Sequence, residues 1–312
     1  MNVKSVSGRI LCMGAINMDL VMFMDALPAP GQTFVTDNFS TFPGGKGGNQ
    51  AVTAAVLGGE VSYFGKLARD SFSEQLLAGM SARGVDIRYV LRDAGSTAGI
   101  AMIWVDARGQ NSIVFNPGAN RLLLPEEVSE YAQCFTAGGI LLVTGEILPD
   151  TIYAAIRQAK KSGMLVIVDP APVPPLPLPD DIPALVDIVK PNETEAALLT
   201  GIPVTDFASA EQAARRLHEM GFGVPIVTLG AQGALALIDG AALRVMPFAV
   251  ETVDATAAGD VFSGALAAAL GNGKSLADAL VFASAAAALS TTRPGAQTSI
   301  PERAEVEALL VG

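Results

Sequence analysis

The sequence predicts an α/β fold in which a mostly parallel sheet carries helices on both faces and a small second sheet stands apart from it. Two observations carry this. From about residue 125 onward, short apolar runs alternate regularly with amphipathic stretches of helical length, the punctuation of a parallel sheet with crossover helices. Within residues 18–41 and again within 97–116, strand-like runs read as exposed or covering strands, with alternation clearest over 32–41, not as buried parallel ones. Half of the 312 residues are hydrophobic, enough for a sizeable core in one large domain or two ordinary ones. The proline-rich stretch 170–183 is the obvious place to look for a linker, but a strand over 186–189 resumes the sheet directly after it. One domain spanning 1–312 is therefore expected, with residues 18–41 and 97–116 forming the small sheet.

In order, residues 9–15 form a short buried strand that opens onto Asn17 and Asp19, ahead of a second apolar piece over 20–24. Polar groups at a strand's C-terminal end suit a ligand crevice. Residues 32–41 read as a covering strand. The run Pro43-Gly44-Gly45-Lys46-Gly47-Gly48-Asn49-Gln50 then turns into a helix that ends near Leu57. Residues 61–67 and 87–91 are strands around a helix over 70–82, and 97–105 with 112–116 form a hairpin about a turn at 106–110. A helix from Pro125, a strand over 140–144, a helix over 150–161 and a strand over 165–169 follow. Asn192 and Glu195 have the spacing of a capping box at the start of the next helix. A helix over 208–220 carries the only histidine, His218, placed near its C-terminal end as a structural cation would be. A strand over 225–229 runs into the small turn at Thr228-Leu229-Gly230-Ala231-Gln232-Gly233, and a further helix spans 276–291.

The stretch on which the chain centres is 250–270. Asp254 is followed by the small residues Ala257, Ala258 and Gly259, and a long alanine-rich helix places Asp260 in its first turn. Small residues before a helix leave its first N–H groups and the positive end of its dipole open to an anion. Asp260 can cap that helix, or it can act as a general base beside a bound phosphate. Asp254, six residues earlier, favours the chemical reading.

The heptapeptide Asp-Ala-Thr-Ala-Ala-Gly-Asp resembles the Asp-Thr-x-Gly/Ala-Ala-Gly-Asp motif of the ribokinase family of sugar kinases, with Ala255 in place of the usual Thr. Gly-Gly-Lys-Gly-Gly-Asn over 44–49 resembles the same family's sugar-binding motif. The likeness extends in order from Asn17 to Ser299. It implies that Asp260 is the catalytic base and that the amides of Ala257, Ala258 and Gly259 hold the transferred phosphoryl group. It also implies that Asn17, Asp19, Gly45, Lys46, Asn49, Glu146 and Asp260 bind the sugar. Asn192, Glu195, Thr228, Gly230, Gly233, Gly259 and Ser284 fall where the family binds nucleotide, the first two helping to organise Mg²⁺ through water. Asp254, Thr256, Arg293, Gly295 and Ser299 fall at its monovalent-cation loop, where oxygen ligands suit K⁺. The implied activity is ATP-dependent phosphorylation of the terminal hydroxyl of a pentose, D-ribose first. A kinase for 2-deoxyribose, another sugar or a nucleoside is the alternative, and a non-catalytic sensor is the rival from another class. The resemblance further implies that the small sheet is a lid over the sugar, and that a homodimer forms through it.

Composition excludes several other classes. Twenty Lys and Arg against 31 Asp and Glu give a net charge of −11, which disfavours nucleic acid or an anionic membrane as partner. No run has the length of a membrane span, and residues 1–9 precede an apolar stretch too short for a signal peptide, so a cytoplasmic protein is expected. Cys12 and Cys134 lie in apolar runs that read as strands and are expected to be buried thiols. One histidine and two distant cysteines cannot furnish a zinc-peptidase, Ser-His-Asp or Cys-His centre. Gly271-Asn272-Gly273-Lys274-Ser275 mimics a phosphate loop, but Ala268 occupies the position of its first glycine, and the run reads as a helix stop. No Gly-x-Gly-x-x-Gly follows the first strand.

Overall fold

The structure is a computed structural model that describes residues 8–311. The opening residues, on which the reading of the leader rests, fall mostly outside the described residues. The first half of the chain runs β1 (Arg9–Met13), β2 (Asn17–Phe23), β3 (Phe39–Gly44), α1 (Lys46–Val56), β4 (Glu60–Ala68), α2 (Ser71–Ala82), β5 (Asp86–Asp93), β6 (Gly99–Val105) and β7 (Asn111–Asn116). It continues with α3 (Pro125–Glu130), β8 (Ile140–Thr144), α4 (Pro149–Lys161), β9 (Leu165–Asp169), α5 (Ile182–Leu185), β10 (Ile188–Val189), α6 (Glu193–Thr200) and α7 (Phe207–Glu219). The last part is β11 (Val224–Thr228), β12 (Ala234–Ile238), β13 (Ala241–Val245), α8 (Ala258–Gly271), α9 (Leu276–Ser290) and α10 (Arg303–Val311).

Nine strands form one sheet in the order β13-β12-β11-β10-β9-β8-β1-β4-β5, parallel from β11 to β5. Its strands are apolar on both faces because both are covered. In β1, Ile10 and Cys12 enter the core beneath α1, α8 and α9, whereas Leu11 and Met13 enter the opposite core with Ile152, Ile156 and Leu217. In β8, Ile140 and Leu142 divide from Leu141 and Val143 in the same way. The period of two, invisible in a continuous apolar run, is thus spent on two separate cores. A second sheet, β3-β2-β6-β7, stands apart and is built from the two segments anticipated.

Four local expectations are corrected. Residues 32–41 are not one strand: only 39–44 pair with β2. The Thr36 hydroxyl donates to the Phe23 carbonyl at 2.6 Å and accepts from the Asn38 amide, so the backbone bends there. Phe34 and Val35 stay exposed because no facing layer exists to bury them. Cys134 sits in a 3-10 turn at Ala132–Cys134 instead of a strand, although both thiols are buried and free. The strand at 186–189 is cut to Ile188–Val189 by the short helix α5 before it. Finally, the sheet gains an antiparallel edge, β12–β13, which the sequence reading passed over.

Candidate active site

The C-terminal ends of the parallel strands meet at one edge, the usual ligand crevice of such sheets. Asn17 follows β1, Glu146 follows β8, Asp169 ends β9, Asn192 follows β10 and Thr228 ends β11. Above them two helices begin, α1 after the Gly-rich turn and α8 after the Asp254 loop, and the two pack against each other.

Two close approaches set the α1 turn. A Cβ on Gly47 would stand 2.7 Å from the Gly14 Cα, so β1 and α1 touch backbone to backbone. Gly45 has φ +84°, and its Cβ would lie 2.5 Å from the Ala15 carbonyl oxygen. The turn brings the Lys46 amide to Glu146, donating to Oε2 at 2.7 Å. Asn49 and Gln50, one turn on, reach α8: Asn49 Nδ2 donates to Asp260 Oδ2 at 2.9 Å, and Gln50 Nε2 to Oδ1 at 3.1 Å. Asn17 is buried and accepts from Asn120 Nδ2 at 3.0 Å. Asp19 lies over Gly44, where a Cβ would come within 2.3 Å of its Oδ2. The seven residues expected to bind sugar are therefore gathered about the starts of β2, α1 and α8 and the end of β8.

At the start of α8, Ala257 adopts a left-handed conformation with φ 60°. Only glycine or a small residue tolerates that turn at modest strain, which accounts physically for Gly or Ala at this place in the motif. The Ala258 amide already donates to the Ala255 carbonyl at 3.2 Å. Among the described residues, the Ala257, Gly259 and Asp260 amides have no such partner and remain for an anion. Of the expected trio, Ala257 and Gly259 thus keep their amides open, while that of Ala258 is engaged within the loop.

After β10, Asn192 and Glu195 form the capping box read from the sequence: the Asn192 amide donates to Glu195 Oε2 at 2.9 Å and the Glu195 amide to Asn192 Oδ1 at 2.9 Å. Thr228 is bonded to this turn through its amide, which donates to the Pro191 carbonyl at 3.0 Å. Gly230 opens a 3-10 turn, Gly230–Gln232, and Gly233 follows it, both with positive φ. Ser284 is buried on α9, the helix packed on α8. The Asp254 carboxylate draws two segments together, accepting from the Thr256 amide at 2.9 Å and from the Gly295 amide at 2.8 Å. The Arg293 guanidinium turns away to Glu305, and the Ser299 hydroxyl donates to the Ala296 carbonyl, so Arg293 can offer a cation only main-chain oxygen.

Sequence reasoning missed four participants. Asp169, 2% exposed, accepts on one oxygen from Gln50 Nε2 at 2.8 Å, Ser263 Oγ at 2.9 Å and Lys190 Nζ at 2.8 Å. The signal was present: a carboxylate closing an apolar strand, and a lysine closing the next, are both costly to bury unless paired.

Burial raises the pKa of Asp260, with Lys46 opposing the shift. Burial likewise pushes Glu146 to about 7, again against Lys46, and Asp19 to about 6. Burial raises Glu195 as well. Asp254 moves the other way, since the hydrogen bonds from Thr256 and Gly295 outweigh its partial burial. A carboxylate raised in the folded state adds stability that is full below its unfolded pKa and is lost as pH rises through the folded one. For Glu146, raised from 4.5 to about 7, that loss is about 3 kcal/mol. The ligand-free protein should therefore melt higher at about pH 5.5 than at about pH 8. Glu146→Gln should shrink the difference, which a pH series of thermal melts reads.

Comparison with known proteins decides the family. Residues 7–303 match the pfkB family carbohydrate kinase domain. The chain belongs to the pfkB family of carbohydrate kinases. Among members of the family, it is 37% identical over 293 residues to a ribokinase of Haemophilus influenzae, covering 94% of this chain and 95% of the relative. It is 34% identical over 292 residues to a deoxyribokinase of Salmonella typhi, with 94% and 95% covered. Its fold superposes on the structure of Arabidopsis thaliana ribokinase complexed with ribose and ATP with a TM-score of 0.90, at 31% identity and over 97% of this chain and 98% of that one. The ribokinase-like fold, with its large mostly parallel sheet and small separate sheet, is that of these pfkB relatives.

Proposed function

We propose that this protein transfers the γ-phosphoryl group of ATP to the terminal 5-hydroxyl of a pentose, D-ribose first. The observation that carries the reading is the placing of Asp260. It is 5% exposed, stands beside three unpaired helix amides, and is held from the sugar side by Asn49 and Gln50. A buried carboxylate with a raised pKa is a competent base toward an alcohol proton. Amides fixed at the helix start supply charge stabilisation without reorganising. Asp260 takes the proton from the sugar hydroxyl as its oxygen attacks phosphorus. Lys46 offsets the carboxylate charge, and Asn17, Asp19, Gly45, Lys46, Asn49 and Glu146 orient the sugar. Ala257 and Gly259 face the transferred group, while Asn192, Glu195, Thr228, Gly230, Gly233 and Ser284 serve the nucleotide.

Two ions belong to the proposal. The donors near Asn192 and Glu195 are oxygens of the kind Mg²⁺ prefers through water, and such an ion would neutralise charge between the β- and γ-phosphates. The convergence of Asp254, Thr256 and Gly295, with carbonyls of the 293–299 loop, fits K⁺ on donor chemistry. It would order the loop that leads into α8. We also take the chain as one domain whose small sheet is a lid over the sugar. Met102, Ile113, Val114 and Phe115 leave apolar surface exposed on that sheet, and covering it by a second copy gives the proposed homodimer. No helix of the described residues is long and apolar enough to cross a membrane. Dependence on ATP supports the cytoplasm as the place of action.

The test is ADP release from Mg-ATP with D-ribose, 2-deoxy-D-ribose, D-fructose and adenosine, each with and without K⁺. The expected result is the highest kcat/KM on ribose, with a K⁺ stimulation that Asp254→Ala abolishes. Preference for deoxyribose would move the substrate and keep the site. A folded protein that binds ATP and turns over none of them would be a sensor. Light scattering on the same preparation reads the oligomer.

A further inference from the structure

Lys190 is a buried cation that the sugar and nucleotide motifs do not explain. It closes β10, is 3% exposed, and its Nζ lies 2.8 Å from Asp169 Oδ2 and 3.3 Å from the Gly259 carbonyl oxygen. A Cβ on Gly259 would come to 3.6 Å from the same nitrogen. An ammonium has three N–H groups, and only these two acceptors are found for it among the described residues. It therefore stands at the mouth of α8, anchored on two sides, with one donor unspent, beside the free amides of Ala257, Gly259 and Asp260.

A buried ion pair is a poor device for stability, because desolvating both charges offsets their attraction and apolar side chains of similar volume do as well. Here the pair lies where charge balance is needed. The crevice holds Asp260, Asp169, Glu146 and Glu195, and their buried neighbours of opposite sign are Lys46 and Lys190. Lys46 is bound through its amide to Glu146, whereas the Lys190 ammonium sits directly against Asp169 and the Gly259 carbonyl at the start of α8. An incoming triphosphate adds further negative charge, and the transition state spreads charge over the oxygens of the transferred group.

We propose that Lys190, locked in place by Asp169, donates its remaining N–H to the terminal phosphates of the nucleotide and is a catalytic residue of the transfer. Asp169 is a positioning residue: it fixes the ammonium, and through Gln50 it also fixes Asp260. This inference rests on the kinase reading above.

The experiment compares wild-type protein with Lys190→Met and with the double variant Asp169→Asn/Lys190→Met. Each is measured for kcat, for KM of ATP and of ribose, for Mg-ATP affinity by calorimetry, and for thermal melting. Loss of a preorganised donor to the transferred group is expected to lower kcat by about 10² in both variants, to weaken Mg-ATP binding, and to leave the ribose KM within about two-fold of wild type. Lys190→Met leaves Asp169 buried without its cation, so a failure to fold there is uninformative. The double variant removes both charges and carries the test. If it returns to wild-type kcat and Mg-ATP affinity, the pair is structural and the inference falls while the kinase reading stands. If wild-type protein itself turns over no sugar, the kinase reading falls first.

Discussion

Replacing Asp260 by Asn is expected to lower kcat by about 10² or more while the protein stays folded. The amide is nearly isosteric and can still accept from Asn49 or Gln50, so the helix start and the sugar pocket keep their shape. What is lost is the capacity to take a proton. A hydroxyl attacking phosphorus must shed that proton, and the crevice holds no equivalent acceptor in the same place. Asp169 is committed through Oδ2 to Gln50, Ser263 and Lys190. Glu146 is held by the Lys46 amide. The loss should therefore fall on kcat with little change in the ribose KM, because the interaction removed matters chiefly in the transition state. Steady-state kinetics on ribose, with a thermal melt to show that the fold is intact, measures it. Turnover close to wild type would remove Asp260 from the role of base.

The two stretches that announced the site in the sequence did so because their chemistry is local. Gly45 has a positive φ and Ala257 is left-handed, so their small size is dictated by their own backbone. The capping box of Asn192 and Glu195 is local in the same sense. Gln50, Asp169, Ser263 and Lys190 were not found because their meaning depends on partners brought in by the sheet. Asp169 and Gln50 are 119 residues apart, Asp169 and Ser263 94 apart, and no window of sequence spans them. The β12–β13 hairpin is a different case. Its turn is Asp239-Gly240, both with positive φ, which is the strongest short-range hairpin signal there is. The flanking Ala-Leu-Ala-Leu-Ile is apolar on both faces and lacks the alternation that would have set it off as a strand of a hairpin. Residues 32–41 failed in the opposite direction. Their alternation was real, but alternation fixes a strand only where a partner and a facing layer exist.

Gly45→Ala is expected to be the most damaging methyl group that can be added near the sugar. With φ +84°, the backbone at Gly45 lies in the region that side chains avoid, and the new Cβ would sit 2.5 Å from the Ala15 carbonyl oxygen and 2.9 Å from the Asn17 amide nitrogen. Neither neighbour can swing aside, since both are backbone. The Ala15 carbonyl also accepts from Gly48 at 3.1 Å, and the Gly45 carbonyl accepts from Asn49 at 2.9 Å, so relief of the clash must shift the first turn of α1. Strain and overpacking together should destabilise the protein by about 2–4 kcal/mol. The shift also moves Asn17, Lys46 and Asn49, and the ribose KM should rise by about ten-fold or more, since a displacement of about 1 Å in a positioned site is that costly. Gly163→Ala separates the two causes. Gly163 has nearly the same φ, +74°, with nothing within 4 Å of the added Cβ. It lies after α4, in the turn that precedes β9, whereas the crevice is at the far end of that strand. That variant should lose only the backbone term, about 1–2 kcal/mol, with kinetics unchanged. Equal melting losses in the two variants, with an unaltered ribose KM in Gly45→Ala, would mean that the Gly45 turn is not pressed against Ala15 and Asn17 and does not set the sugar pocket.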